Sequence, residues 1–63
     1  MPAPSTVVTF YDTDGDEFPI RLWGSYESRE AEGRALALLE DEVRTGNMNP
    51  SYPVALGTIQ HLN

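Results

Sequence analysis

The stretch that decides the fold is TVVTFYDTDGDEFPIRLWG, residues 6–24, and its first six residues are β-branched or aromatic, as is typical of strands. Asp12 and Gly15 then occupy the first and fourth positions of a possible type I turn. Apolar side chains follow at every second position, which is the spacing of a strand with one buried face. They are Phe18, Ile20 and Leu22. The stretch therefore predicts a β-hairpin whose second strand runs from residue 17 to about residue 24.

The length of the hairpin loop decides which side chains share a face. A two-residue loop would place the apolar side chains of the first strand on the opposite face of the sheet from those of the second. A three-residue loop needs Gly15 in the left-handed conformation as a bulge, and it places Phe10 opposite Phe18. This second register collects the apolar side chains of both strands on one face, so it is the one that we predict.

The residues after the hairpin predict a helix from Ser28, a suitable N-cap, to about Thr45. Its apolar residues lie within an arc of about 160° when the chain turns 100° per residue. They are Ala31, Ala35, Leu36, Leu38, Leu39 and Val43. The opposite side carries two acid-first pairs at i,i+4 spacing, which support a helix. These pairs are Glu30 with Arg34 and Glu40 with Arg44. Gly46 is suited to end the helix, because glycine readily adopts the left-handed conformation.

A third strand is predicted at about residues 54–59, and residues 60–63 are interpreted as a short tail. A right-handed crossover through the helix brings the third strand beside the first, antiparallel to it. Pro19 agrees with this order, because proline is tolerated on edge strands. We therefore predict an α+β fold, in which a three-stranded antiparallel sheet of order 2-1-3 has one helix on one face. Residues 6–62 are expected to form this single domain after a flexible lead-in, residues 1–5.

Composition narrows the possible functions of the chain. Its 63 residues include ten acids, four arginines and no lysine, for a net charge of −6, which disfavours direct nucleic-acid binding and favours basic partners. There is no cysteine and one histidine, His61, so disulfides, thiolate zinc sites and multi-histidine metal sites are excluded. No apolar run has the length of a membrane span, and residues 1–5 do not have the pattern of a secretory signal. We expect a cytoplasmic protein without a cofactor.

Residues 12–17, DTDGDE, resemble the beginning of a calcium loop because oxygen ligands alternate along them. Such a loop needs glycine at its sixth position and glutamate at its twelfth, where this chain has Glu17 and Trp23. We therefore interpret the segment as a hairpin turn and not as a metal site. Only His61 is available as a base for a serine nucleophile, and no glycine-rich phosphate loop is present. We expect no enzymatic activity.

One helix covers only one face of a three-stranded sheet, so the other face is predicted to be open. In the favoured register it carries Val7, Thr9, Tyr11, Arg21 and Trp23. Tryptophan, tyrosine and arginine often dominate the energetics of protein interfaces. Three interpretations of Trp23 remain open at this point: it is an interface anchor, it folds over the sheet edge and is buried, or it stacks on a small molecule.

Two acidic clusters complete the candidate binding residues: Asp14, Asp16 and Glu17 on the hairpin, and Glu40, Asp41 and Glu42 late in the helix. The main hypothesis is a small acidic protein–protein interaction module. It would be a regulator or an inhibitor of phage type that docks on a larger, basic, nucleic-acid-handling protein. One alternative is a structural homo-oligomer, such as a homodimer, that completes its core by assembly. Another is a nucleic-acid mimic, which requires the two acidic clusters to be adjacent.

Overall fold

The computed structural model describes residues 3–62, which form three strands and one helix. They are β1 (Ser5–Tyr11), β2 (Glu17–Trp23), α1 (Ser28–Arg44) and β3 (Ala55–Leu62). The sheet order is β2-β1-β3, and β1 is antiparallel to both neighbours. The predicted α+β fold with order 2-1-3 is thereby confirmed. Residues 1 and 2 of the predicted lead-in and residue 63 of the predicted tail lie outside the described residues, and β1 begins one residue before the predicted domain boundary.

The hairpin has the register that its turn chemistry predicts. Phe10 lies opposite Phe18. On either side of the loop, the backbone N–H of Asp12 donates to the carbonyl of Asp16 at 3.1 Å. The N–H of Gly15 donates to the carbonyl of Asp12, also at 3.1 Å, which closes the type I turn. Gly15 has a φ of 82°, the left-handed conformation that favours glycine. The three-residue loop with its glycine bulge is confirmed.

The start of α1 corrects one prediction, because Glu27 and not Ser28 is the N-cap. Glu27 is extended, with φ −67° and ψ 158°, and its carbonyl accepts the N–H of Ala31 at 2.8 Å without a side-chain cap. The reason lies in β1, where the Thr6 hydroxyl donates to the carbonyl of Gly24 at 2.9 Å and accepts the N–H of Tyr26 at 3.4 Å. This buried threonine fixes the connection from β2, so tertiary contacts decide where the helix begins.

The end of α1 is a Schellman motif, as the predicted glycine stop requires. Gly46 has a φ of 85° and donates its N–H to the carbonyl of Val43 at 3.1 Å. The N–H of the following Asn47 donates to the carbonyl of Glu42 at 2.9 Å. Of the two predicted ion pairs, Glu30–Arg34 is present at 2.8 Å.

The second predicted ion pair is wrong, because Arg44 pairs with Asp41 instead of Glu40. Both acids lie one helical turn before Arg44, so the sequence spacing alone does not choose between them.

The core lies between the even-numbered side chains of the hairpin and one face of α1. Its buried members are Val8, Phe10, Ile20, Leu22, Ala31, Ala35 and Leu39. Leu36 and Val43 pack against this core while partly exposed. Leu38, which the periodicity places in the apolar arc, is 42% exposed at the edge of α1 that faces β2.

β3 is longer than the sequence predicts, because it extends through Leu62, which lies opposite Ser5. His61 is therefore part of a strand, opposite Thr6, and not of a mobile tail. The pairing of β3 with β1 shifts register between Thr9 and Phe10 and leaves Gly57 as the extra residue of a bulge. Among the described residues, α1 has neither the length nor the apolar character that a membrane-crossing helix needs.

Candidate protein-binding surface

The open face of the sheet is divided between two separate regions. At the hairpin end, the half-buried Tyr11 donates its hydroxyl to Glu17 Oε1 at 3.0 Å, and its ring lies against Gly57. The hydrogen bond to the Glu17 carboxylate, together with the negative charge of that carboxylate, raises the pKa of Tyr11. At the other end of β2, Arg21 and Trp23 are exposed. Tyr11 therefore belongs to the internal packing of the sheet, whereas Arg21 and Trp23 face solvent.

Trp23 is 70% exposed, which excludes the interpretation that it folds into the core. The guanidinium carbon of Arg21 lies 5.3 Å from the centre of its ring, within the range of a cation–π contact. Arg21 Nη1 also donates to the hydroxyl of Ser5 at 3.2 Å. Because Ser5 is buried in β1, this hydrogen bond holds the guanidinium on the sheet and beside the indole.

A groove of about 400 Å³ separates the Trp23 end of β2 from α1, and we call it the Trp23 groove. Its β2 wall contains Arg21, Leu22 and Trp23, and its helix wall contains Arg34, Leu38 and Asp41. Tyr26, in the connection between the two walls, also lines it. The groove thus combines exposed apolar surface with two arginines.

The charged groups along the groove differ in how they are compensated. Arg34 lies 4.6 Å from the centre of the Tyr26 ring and donates to Glu30, which raises the pKa of Arg34. Asp41 is paired with Arg44. Arg21 forms no ion pair with any carboxylate of residues 3–62. The groove therefore has one positive charge that is not neutralised by the described part of the chain.

The chain returns to the hairpin tip soon after the second acidic cluster. β2 leads away from the hairpin tip, and α1 returns toward it. The loop after α1 then contacts the tip, where Ser51 donates its N–H to Asp12 Oδ2 at 3.0 Å and its hydroxyl to Asp14 Oδ2 at 2.7 Å. We call residues 12–17 and 40–42 together the acidic end.

The charge is distributed very unevenly between this end and the rest of the molecule. The acidic end contains seven of the ten acids, and Arg44 is the only arginine near it. The other three acids and three arginines lie on β2, on the β2–α1 connection and on the first half of α1. The acidic end together with Arg44 therefore accounts for the net charge of −6, and Asp41 places one of its carboxylates on the wall of the Trp23 groove.

Asp12 organises the hairpin tip through its side chain. Oδ1 accepts the N–H groups of Asp14 at 3.0 Å and of Asp16 at 2.9 Å, and Oδ2 accepts that of Ser51. The hydrogen bond from Ser51, with those from Asp16, Asp14 and Gly15, holds the pKa of Asp12 below its ordinary value against the opposing effect of burial. Ligand oxygens of Asp12, Asp14 and Asp16 lie within 4.8 Å of one another, but the Asp12 oxygens are occupied by the turn itself.

The sequence identified Arg21, Trp23 and Asp41 as candidate binding residues but not the other residues of the groove. Leu38 was placed in the core by its helical period, which does not reveal how the helix lies on the sheet. The contact between Tyr26 and Arg34 could not be predicted from their separation of eight residues, because that separation is informative only when the start of the helix is known. Ser5 was assigned to the lead-in.

Three comparisons with known proteins were negative: no family model, no curated protein and no solved structure matches this chain. The functional interpretation consequently depends on the surface alone.

Proposed function

We propose that this chain binds another protein, and that the Trp23 groove is its docking surface. The observation that carries the proposal is the 70% exposure of its single tryptophan beside the 42% exposed Leu38, at the mouth of a groove. Large apolar side chains grouped at a surface typically mark sites of interaction. Tryptophan and arginine are the residues most enriched among those that dominate binding energy.

A small binding protein of this kind acts as a regulator or an inhibitor of its partner. Catalysis is not supported by the groove, because its carboxylate, Asp41, is already paired with Arg44. His61, the single histidine, lies on β3, which does not line the groove. A general base and a nucleophile must be within hydrogen-bond reach of each other, and the lining residues offer no such pair.

The proposal is tested by capturing partners from host lysate with three proteins: the natural chain, Trp23→Ala and Tyr52→Ala. Tyr52 is a matched control because it is also an exposed aromatic residue, at 55%, but it does not line the groove. We expect the partner to be lost with Trp23→Ala and retained with Tyr52→Ala. Equal recovery with all three proteins would refute the proposal.

The same complex offers a direct optical measurement, because Trp23 is the single tryptophan of the chain. Adding the purified partner, or a tryptophan-free fragment of it, should shift the indole emission to shorter wavelength and reduce quenching by iodide. An unchanged emission on binding would place the contact elsewhere on the molecule.

The acidic end supports a second candidate function, in which the chain binds a basic, nucleic-acid-handling protein by imitating phosphates. The observation in its favour is that the loop after α1 binds the hairpin tip, where Ser51 hydrogen-bonds to Asp12 and Asp14, so the chain returns to the first acidic cluster soon after the second. Binding of this kind should weaken strongly with salt, whereas binding at the Trp23 groove should depend on salt only modestly. Salt titration of the captured complex therefore distinguishes the two candidates.

A further inference from the structure

We infer that the Trp23 groove accepts an extended segment of its partner as a fourth strand beside β2, with an acidic side chain of that segment against Arg21. This inference depends on the proposed function, because it specifies how the docking surface is occupied and by which chemistry.

The hydrogen bonds at the two ends of the hairpin show which backbone groups of β2 are available. Asp12 N–H donates to the carbonyl of Asp16 at one end, and Gly24 N–H donates to the carbonyl of Pro4, at 3.0 Å, at the other. In an antiparallel ladder the hydrogen-bonded positions alternate, so the even-numbered residues of β2 bond to β1. The odd-numbered residues direct their N–H and C=O groups to the open edge of the sheet. They are Glu17, Pro19, Arg21 and Trp23.

Pro19 divides this open edge into two parts. Proline has no N–H to donate, so pairing of another strand is impaired at the middle of β2. Glu17, beyond it, adds a charge next to the acidic end, and both features discourage strand addition there. The usable edge is therefore the segment from Arg21 to Trp23, which is also the segment that forms the groove wall.

The position of α1 makes this edge a groove and not a bare strand. The helix wall, with Arg34 and Leu38, faces the β2 wall across about 400 Å³. A groove between an edge strand and a helix is suited to an extended peptide, whose backbone pairs with the strand while alternate side chains enter the groove. The side chains of an added strand alternate between two faces. One set meets Leu38 and Tyr26, and the other set meets Arg21.

Charge complementarity defines the chemistry of the segment. Arg21 hydrogen-bonds to the neutral Ser5 hydroxyl, lies beside the Trp23 ring and forms no ion pair within residues 3–62, so its charge is available. A carboxylate opposite it would form a charge-assisted hydrogen bond, the strong kind of polar contact. Leu38 and Tyr26 favour apolar side chains on the other face. The expected occupant is thus an extended segment of a partner protein in which acidic and apolar residues alternate.

The probe for this inference is a short blocked peptide in which valine and glutamate alternate, titrated to millimolar concentration into the isotope-labelled full chain. We expect chemical-shift changes around the groove and increased hydrogen-exchange protection of the Arg21 and Trp23 amides, which side-chain docking alone would not produce. A peptide with glutamine in place of glutamate should bind about tenfold more weakly, since a lost charge-assisted contact is of that size.

Two variants with the same charge change isolate the role of Arg21. Arg21→Gln should weaken the glutamate peptide by about tenfold, whereas Arg29→Gln, on an exposed arginine outside the groove lining, should leave its affinity unchanged. Failure to bind, binding without amide protection, or equal affinity for both peptides would overturn the inference. A dimer of the free chain by light scattering, with its β2 edge protected, would also overturn it, because a second copy would then occupy the edge. The proposed function fails separately, if Trp23→Ala retains the natural partner.

Discussion

Asp12 connects distant parts of the chain through one carboxylate. It accepts hydrogen bonds from two N–H groups of its own turn and from Ser51, which is 39 residues away in the sequence. A carboxylate bound by several backbone N–H groups is stabilised in its charged form, which agrees with its lowered pKa. The ionised Asp12 thus contributes to holding the hairpin tip against the loop between α1 and β3, together with the hydrogen bonds of Ser51 to Thr13 and Asp14.

This arrangement predicts that Asp12→Asn destabilises the fold and makes its free energy of unfolding less sensitive to acid. Because the pKa of Asp12 is lowered in the folded state, its carboxylate contributes fully to stability above the unfolded pKa, about 3.9. This contribution to stability is lost as pH falls through the folded pKa. Denaturant titrations from pH 7 down to pH 2 measure both effects. Asp16→Asn is the control, because its exposed side chain forms no hydrogen bond within residues 3–62, and it should change stability by less than about 0.5 kcal/mol. Equal acid sensitivity of the natural chain and Asp12→Asn would contradict the prediction.

Gly57 is a residue whose identity is fixed by close contacts with its neighbours. A Cβ at this position would overlap the Tyr11 ring and would lie 3.0 Å from the carbonyl of Thr9. Gly57→Ala must displace the ring from its bond to Glu17, and overpacking of this kind typically costs about 1–3 kcal/mol. Thermal unfolding of Gly33→Ala provides the matched control. Nothing lies within 4 Å of a Cβ there, so the same substitution on α1 should stabilise the fold by up to about 1 kcal/mol. Stabilisation by both alanines would show that the Tyr11 contact is unimportant.

At the scale of elements, prediction from sequence succeeded where the deciding interactions are local. The hairpin register follows from Asp12 and Gly15, which are close in sequence, and the end of α1 follows from Gly46. It failed where distant residues decide. Thr6 fixes the start of α1 from another element, and pairing with Ser5 extends β3 through residues whose composition does not indicate a strand. The groove was missed for the same reason, because its helix wall depends on how α1 lies across the sheet.

Two adjacent leucines on α1 test this orientation. Leu39 is fully buried in the core, and Leu38 is 42% exposed in the groove. Leu39→Ala should cost about 2–5 kcal/mol. That is comparable with the whole stability expected of so small a domain, at about 0.05–0.15 kcal/mol per residue. Leu38→Ala should cost less than about 1 kcal/mol and weaken partner binding instead. Urea denaturation with a binding measurement on each variant separates the effects, and similar losses of stability would show that α1 lies differently on the sheet.

At the scale of the whole molecule, the acidic end and the Trp23 groove share one residue. The acidic end holds almost all of the net charge, and its Asp41, which is paired with Arg44, also lines the groove. At physiological ionic strength the Debye length is about 8 Å, so the acidic end acts on a partner over a short range. In the proposed function, it would favour initial encounter with a basic surface, and the groove would supply the specific contact. A partner that uses both sites would be basic around a segment that is itself acidic and apolar.

The two ends of α1 provide a matched pair of variants that test the role of the acidic end, because three acids lie at or next to each end. The first variant combines Glu40→Gln, Asp41→Asn and Glu42→Gln, and the second combines Glu27→Gln, Glu30→Gln and Glu32→Gln. Both change the net charge from −6 to −3, and each removes one ion pair of the helix, Asp41–Arg44 or Glu30–Arg34.

If position matters, the first variant should bind a lysine-rich peptide several-fold more weakly than the second and should lose most of the salt dependence of binding. Calorimetric titrations at low and physiological salt measure this difference, with circular dichroism to verify that both variants fold. Because the two variants have the same net charge, equal weakening would show that overall charge alone attracts the peptide. A larger loss in the first variant would instead locate the attraction at the acidic cluster near the C-terminal end of α1.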